Sequence, residues 1–287
     1  MWIVLSALAA VTSGIAVILQ KNGAASDKLL QTCALNNTAT LAVVLLITIA
    51  EGSISQLGAI PLRSWILTVA SGMAQAASWI TFFAGLKFAK VNIYMALDKV
   101  NIIVTMLLSW LLIGDVITFY MLCGTVLILG GTAAMTALEK TTGEADVNLR
   151  RWLFYGILSP ALQAVVNILA KLDTAPISTD LTTTIRILVV VLILWGLSAQ
   201  KEGWPQKGTL RECGGFWLLS GGAMIGISYL FMFRAIYLGN AAVVTVFVKA
   251  SFLVSSVLAC LFLHERLSKK GWAGFAAVCL GTGMFIL

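Results

Sequence analysis

The sequence predicts an all-α integral membrane protein, with ten transmembrane helices arranged as two inverted five-helix repeats. Three observations predict it. The 287 residues are 60% hydrophobic and 11% charged, with a mean hydropathy of +0.97, whereas a water-soluble chain carries roughly 25% charged residues. The chain divides into ten apolar runs, each near the ~20 residues that a spanning helix needs. The first half also aligns with the second, without a gap, at an offset of 150 residues.

The runs are 2–20, 29–50, 63–86, 91–113, 117–138, 151–171, 181–199, 213–237, 241–263 and 268–287. The first lacks a positive leader and matches an internal run, so it reads as a mature helix and not a signal peptide. Links between runs are short. The most polar one, from Glu139 to Arg151, joins the halves, giving a first repeat at 1–138, a linker at 139–150 and a second repeat at 151–287.

Residues that coincide at the offset run the length of the repeat. Trp2 meets Trp152, Lys21 meets Lys171, Gly72 meets Gly222 and Ser78 meets Ser228. Lys99 meets Lys249, Gly124 meets Gly274 and Gly131-Thr132 meets Gly281-Thr282. Single matches are weak, but their common register is not. Five helices is an odd number, so the second repeat enters the membrane upside down. Inverted repeats are the build of many secondary transporters, with the site at the repeat interface near the midplane.

Loop charge orients the chain. Links one, three, five, seven and nine hold Lys21, Lys28, Lys87, Lys90, Lys140, Arg150, Arg151, Lys201, Lys207, Arg211, Arg266, Lys269 and Lys270. The opposite side holds Arg63, Lys171 and Arg234. Basic residues collect on the cytoplasmic side, so both termini are expected outside a multi-pass protein of the cell (inner) membrane. This asymmetry also accounts for the net charge of +7 without nucleic acid, for which no basic-aromatic patch exists outside the apolar runs. Lys21/Lys171 and Lys99/Lys249 are kept in both halves. Topology does not explain a lysine kept on both sides, which marks these pairs as functional candidates.

The fourth run carries the most informative stretch, Tyr94-Met-Ala-Leu-Asp98-Lys99-Val-Asn101. A charge at bilayer depth costs about 2.5–3.5 kcal/mol. Lys99 and Lys249 lie roughly 12 Å from the nearer helix end at 1.5 Å per residue, farther than a lysine fully snorkels. Two readings stand: the lysines form a positive site for an anionic substrate group, or Asp98 neutralises one and both hold the repeats together. Asp98 is about 100° round the helix from Lys99, so it can reach Lys249 across the pseudo-twofold axis. Burial pushes Asp and Lys towards neutrality, so Asp98 is also a candidate for proton coupling.

Polar stripes add to this. Tyr94, Asp98, Asn101, Thr105 and Ser109 lie on the fourth run, Thr245, Lys249, Phe252 and Ser256 on the ninth, and Ser71, Gln75 and Trp79 on the third. On the sixth, Ser159, Gln163, Asn167 and Lys171 repeat every four residues on one face, beside Pro160, and are expected to line a cavity. Arg186 follows Asp180-Leu-Thr-Thr-Thr; it can bind an anion at the outer mouth, pair with Asp180 or sit among headgroups. The candidate substrate-binding set is Lys99, Lys249, Asp98, Tyr94, Asn101, Gln75, Trp79, Gln163, Asn167 and Tyr229, with Lys171 and Arg186 at the entrance.

Catalysis is not indicated. The five cysteines are scattered singly, with neither disulfide nor metal-ligand spacing. His264-Glu265-Arg266 contains the single histidine. Its repeat mate, Gly114-Asp115-Val116, has none, so an acidic residue three before Ser268 or Thr118 reads as helix capping. There is no phosphate loop or Ser-His-Asp set, and no cofactor or metal is expected.

The ending Phe262-Leu-His-Glu265-Arg-Leu-Ser268-Lys-Lys-Gly271-Trp-x-Gly274, continuing to Gly281-Thr-Gly, resembles the closing hairpin of EamA-type repeats of the drug/metabolite transporter superfamily. Leu111-Leu-Ile-Gly114-Asp115-Val-Ile-Thr118 to Gly124 is the degenerate first copy. Ile168-Leu-Ala-Lys171 and Asp180-Leu-x-Thr-x-Ile185-Arg186 resemble a prokaryotic subgroup. The resemblance implies ten helices, alternating access and a central cavity lined by helices three, four, eight and nine with one and six. It also implies a small-molecule substrate, such as an amino acid, sugar, drug or phosphorylated metabolite. In the plastid phosphate translocators of this superfamily, lysines on helices equivalent to four and nine hold phosphate; Lys99 and Lys249 match by position, but Ala250 follows Lys249 where a basic residue would stand.

The expected function is therefore secondary transport of a small anionic or zwitterionic metabolite, by a monomer or homodimer, with the direction open and export one option. Two other readings stand beside it. A flippase or carrier for an anionic lipid-linked compound would open laterally at Arg186 and Lys171. A non-transporting scaffold would pack its polar stripes dry.

Overall fold

The computed structural model describes residues 1–23, 28–88, 97–137, 146–173, 175–204, 214–262 and 269–286. They are helical almost throughout. In chain order the α-helices are α1 (Trp2–Gly23), α2 (Leu29–Ala50), α3 (Leu62–Phe88), α4 (Val100–Ile113), α5 (Phe119–Ala137), α6 (Asp146–Leu172), α7 (Thr179–Lys201), α8 (Gly215–Leu238), α9 (Ala241–Lys249), α10 (Ser251–Phe262) and α11 (Lys269–Gly283). Among the described residues, seven stretches are long and apolar enough to cross a membrane: α1, α2, Leu62–Leu86, Phe154–Leu172, α7, α8 and, taken across Ala250, Ala241–Phe262. Val100–Ile113 and Phe119–Ala134 are apolar but shorter. The chain is a multi-pass helical membrane protein.

Two helices depart from the expected bounds. α6 begins at Asp146, inside the expected linker. Apolar patterning stops at Arg150-Arg151, but the helix itself runs on into the polar sequence before them. The ninth run is not one helix. It breaks at Ala250, where Leu253 N–H bonds to the Ala250 carbonyl at 2.8 Å and the Lys249 carbonyl accepts the Lys99 ammonium instead. The start of α4 is tightened in the same way, with Asn101 N–H on Asp98 O and Ile102 N–H on Lys99 O. Both irregularities fall at the two repeat-related lysines, Lys249 and Lys99. Periodicity alone could not reveal them, because the ligand of the freed carbonyl comes from 150 residues away.

Local capping follows ordinary chemistry. Asn240 accepts from Ala242 and Val243 N–H at the start of α9, and Ser178 from Asp180 N–H at the start of α7. Thr118 accepts from Met121 N–H at 3.3 Å, while Asp115 accepts from Ser109 Oγ. His264 to Ser268, the corresponding site in the second half, lies outside the described residues.

Pairing between helices repeats with the halves exchanged. α1 lies along α8 as α3 lies along α6, α2 packs on α8 as α7 packs on α3, and α10 meets α1 as α4 meets α6. Individual contacts follow. Ser78 Oγ donates to the Ser159 carbonyl at 3.0 Å and Ser228 Oγ to the Ala9 carbonyl at 2.8 Å. α5 crosses α11 through glycines: a Cβ on Gly124 would lie 2.7 Å from Gly281 O, and one on Gly131 would lie 2.5 Å from Gly274 O. In a bilayer such close backbone approach substitutes for the hydrophobic drive that lipid removes.

Candidate functional site

Between the halves lies a cavity with about 750 Å³ of atom-free space, part of it open to solvent. α1 contributes Ser13, Val17 and Gln20; α3 contributes Ser78, Trp79 and Phe82; α6 contributes Ser159, Gln163 and Asn167. α8 adds Ile225, Ser228, Tyr229 and Met232, and the α9–α10 break adds Thr245, Val248, Lys249 and Ser251. Asp98, just before α4, completes the wall.

The charged centre is Lys249 with Asp98. The ammonium lies 2.7 Å from Oδ1 and 2.6 Å from Oδ2, so the pair joins the two halves. Lys99 is placed differently. It is 1% exposed, behind the wall, with its ammonium on the Lys249 carbonyl and 5.0 Å from the centroid of the Phe252 ring. The two lysines are equivalent in the repeat but not in the site: one borders the space, the other braces the helix break that presents it. Two lysines and one carboxylate thus meet at the junction of the two halves.

The sixth-run stripe supplies Ser159, Gln163 and Asn167 to the cavity, with Asn167 Nδ2 donating to Thr245 Oγ1 at 3.2 Å. Trp79 and Tyr229 also line it. Asn101 and Gln75 do not. Asn101 Nδ2 donates to the Pro160 carbonyl at 2.8 Å, which fixes α4 on α6. Gln75 is fully buried beside the Tyr229 hydroxyl, with neither amide atom in a hydrogen bond of ordinary length. Tyr94 lies outside the described residues.

Neither entrance candidate lines the central cavity. Lys171 donates to the Ile236 and Gly239 carbonyls at 2.9 and 2.6 Å, so it ties down the C-terminal end of α8, as Lys21 does for α3 through Leu86 O at 2.8 Å. Arg186 is 2% exposed, which removes it from the headgroups. Asp180 is not its partner. Six residues on a helix turn through about 600°, which leaves Arg186 far round α7 from Asp180. Asp180 instead binds Arg234 Nε at 2.9 and 3.1 Å, and Arg234 also reaches Glu51.

Sequence reading missed Ser13, Gln20, Phe82 and Met232 as lining residues. Gln20, with its Nε2 on Asn36 Oδ1 at 3.0 Å, carried a signal: an amide inside a spanning helix, next to a lysine kept in both halves.

The EamA-like transporter family matches this chain over residues 1–137 and 150–287. The chain belongs to the EamA-like transporter family. It is therefore a transporter of the drug/metabolite transporter superfamily and not an enzyme. A curated relative from Sinorhizobium sp, described as an uncharacterized transporter in the cobO 3' region, is 32% identical over 131 residues, which is 46% of this chain and 93% of that protein. A protein solved by crystallography superposes with a TM-score of 0.73 over 96% of this chain and 95% of that one, at 15% identity; at that identity the likeness is one of fold.

Proposed function

We propose that this transporter moves a small anionic or zwitterionic metabolite across the inner membrane by alternating access, with the central cavity as its binding place. The observation that carries this reading is the Lys249–Asp98 pair in the wall of the cavity. An entering carboxylate takes up the ammonium. A substrate's own ammonium, if it has one, takes up Asp98, so the charges lost from water are replaced. Trp79, Tyr229, Gln163 and Asn167 supply apolar contact and hydrogen bonds around them.

The same proposal includes ten spanning segments in two inverted repeats, residues 1–138 and 151–287, joined by 139–150. The exchanged contacts of Ser78 and Ser228, and the glycine crossing of α5 with α11, support it. Exchange of the two halves' conformations would then open the cavity to either side in turn. Basic links place both termini outside; a reporter fused to the C-terminus should be active only outside, and cytoplasmic activity would overturn this orientation.

Ser159, Gln163 and Asn167 of the sixth-run stripe border empty space, which argues for a carrier over a dry scaffold. The burial of Arg186 and the engagement of Lys171 argue against an entrance at headgroup depth for a lipid-linked compound.

The test is a thermal-shift screen of purified protein with anionic, zwitterionic and cationic metabolites, run beside Lys99→Gln and Lys249→Gln. A ligand held at about 100 times its Kd stabilises the folded state by about 2.7 kcal/mol. An anion or zwitterion should raise the melting temperature of the wild type and have little effect on Lys249→Gln. Stabilisation by cations alone would reverse the assignment.

A further inference from the structure

Arg186 has a cavity of its own. Its Nε donates to Ser71 Oγ at 2.8 Å, its guanidinium lies 4.1 Å from the centroid of the Phe233 ring, and its Nη1 is buried with no hydrogen-bond partner. Among the described residues, no carboxylate lies within ion-pairing distance. Arg234 nearby is different, being held by both Asp180 and Glu51. A desolvated guanidinium with a free N–H and no direct anionic partner is costly, and native structures seldom leave such a group unmatched.

The space beside it is narrow, with about 340 Å³ of atom-free volume of which part is open to solvent. Thr179, Thr182 and Arg186 line it from one face of α7, and Phe233 and Tyr237 from α8. Thr179 opens α7, so the space also meets the positive end of that helix. Asp173 is in the wall too, with its Oδ1 accepting from Ser64 Oγ at 2.6 Å and Ala175 N–H at 3.4 Å. A carboxylate there tolerates a single negative charge next to the guanidinium better than a double one. Tyr229, one turn before Phe233 on the same face of α8, lines the central cavity, and its ring centroid lies 5.7 Å from that of Phe233, so the two spaces are neighbours divided by this ring contact.

We propose that the Arg186 cavity is a second binding site, for one small monovalent anion: a halide, or the carboxylate of a small organic acid. The free guanidinium N–H and the N-terminal end of α7 hold it, and it supplies the direct ion-pair partner that no described carboxylate does. The site shares no lining residue with the central cavity.

Purified full-length protein in detergent is melted while chloride, or separately formate, replaces the bulky sulfonate MES at constant ionic strength. A saturable rise in melting temperature is expected. It should persist in Lys249→Gln and be lost in Arg186→Gln. A rise with chloride assigns the site to inorganic anions as well; a rise with formate alone assigns it to carboxylates. Where Arg186→Gln does not fold, Thr182→Leu puts a bulkier side chain into the cavity without removing the guanidinium, and should raise the half-saturating anion concentration several-fold by crowding the anion. No saturable rise, a rise kept in Arg186→Gln, an unchanged midpoint in Thr182→Leu, or a rise abolished by Lys249→Gln overturns the proposal. Because the readout needs no metabolite, it stands even if the central-cavity screen finds no ligand.

Discussion

Asp98→Asn will be the least stable single variant at the charged centre, and adding Lys249→Gln to it will restore much of the loss without restoring transport. The expectation follows from the charges. The centre holds Lys99, Lys249 and Asp98. Removing the carboxylate leaves two lysines with no anion between them. Removing Lys249 instead leaves Asp98 with Lys99 in its field, one charge of each sign. The double variant has one ammonium and no carboxylate. Breaking a buried pair from one side costs about 3–5 kcal/mol. Lys249 and Asp98 keep side-chain exposures of 16% and 12%, so the lower end of that range applies to Asp98→Asn, and Lys249→Gln should lose less. Melting curves in detergent read the stability, and flux into proteoliposomes of a ligand from the screen reads the transport. A double variant no more stable than Asp98→Asn would mean that the pair does not hold the two halves.

Gly222→Ala will destabilise strongly for a different reason. A Cβ there would lie 2.0 Å from the carbonyl oxygen of Asn36 and 3.0 Å from Ala39 Cβ. The obstacle is backbone, so no side chain can rotate away; α2 and α8 must separate. Overpacking typically costs about 1–3 kcal/mol, and this contact belongs at or above the top of that range. Gly130→Ala is the control. Nothing lies within 4 Å of a Cβ at Gly130, and alanine is the better helix former by up to about 1 kcal/mol. Comparable melting temperatures for the two variants would show that the α2–α8 approach is looser than described.

Several features were legible before any coordinates. The spanning runs, the stripe of Ser159, Gln163 and Asn167, and the importance of the Asp98-Lys99 stretch follow from local composition and spacing. Other features were hidden by the same locality. The ninth run reads as one helix because nothing in Thr245 to Ser256 announces that Lys99 will take the Lys249 carbonyl. Asp180 seemed a fit partner for Arg186 because they are close in sequence, yet helix rotation delivers Asp180 to Arg234 instead. Lys171 read as an entrance residue because its charge was visible and the carbonyls that bind it were not.

By itself, the sequence determined that this is a helical membrane protein with two related halves and buried charge at matching places. Those are consequences of how many apolar residues stand in a row, how often polar ones interrupt them and at what offset the pattern returns, all of which are properties of a line. The tertiary structure alone decided which of two equivalent lysines borders the cavity, which braces the helix break behind it, and which arginine is left with an open N–H. Those outcomes depend on the rotation of each helix about its axis and on where helices cross, and these are set by packing between residues about 150 positions apart.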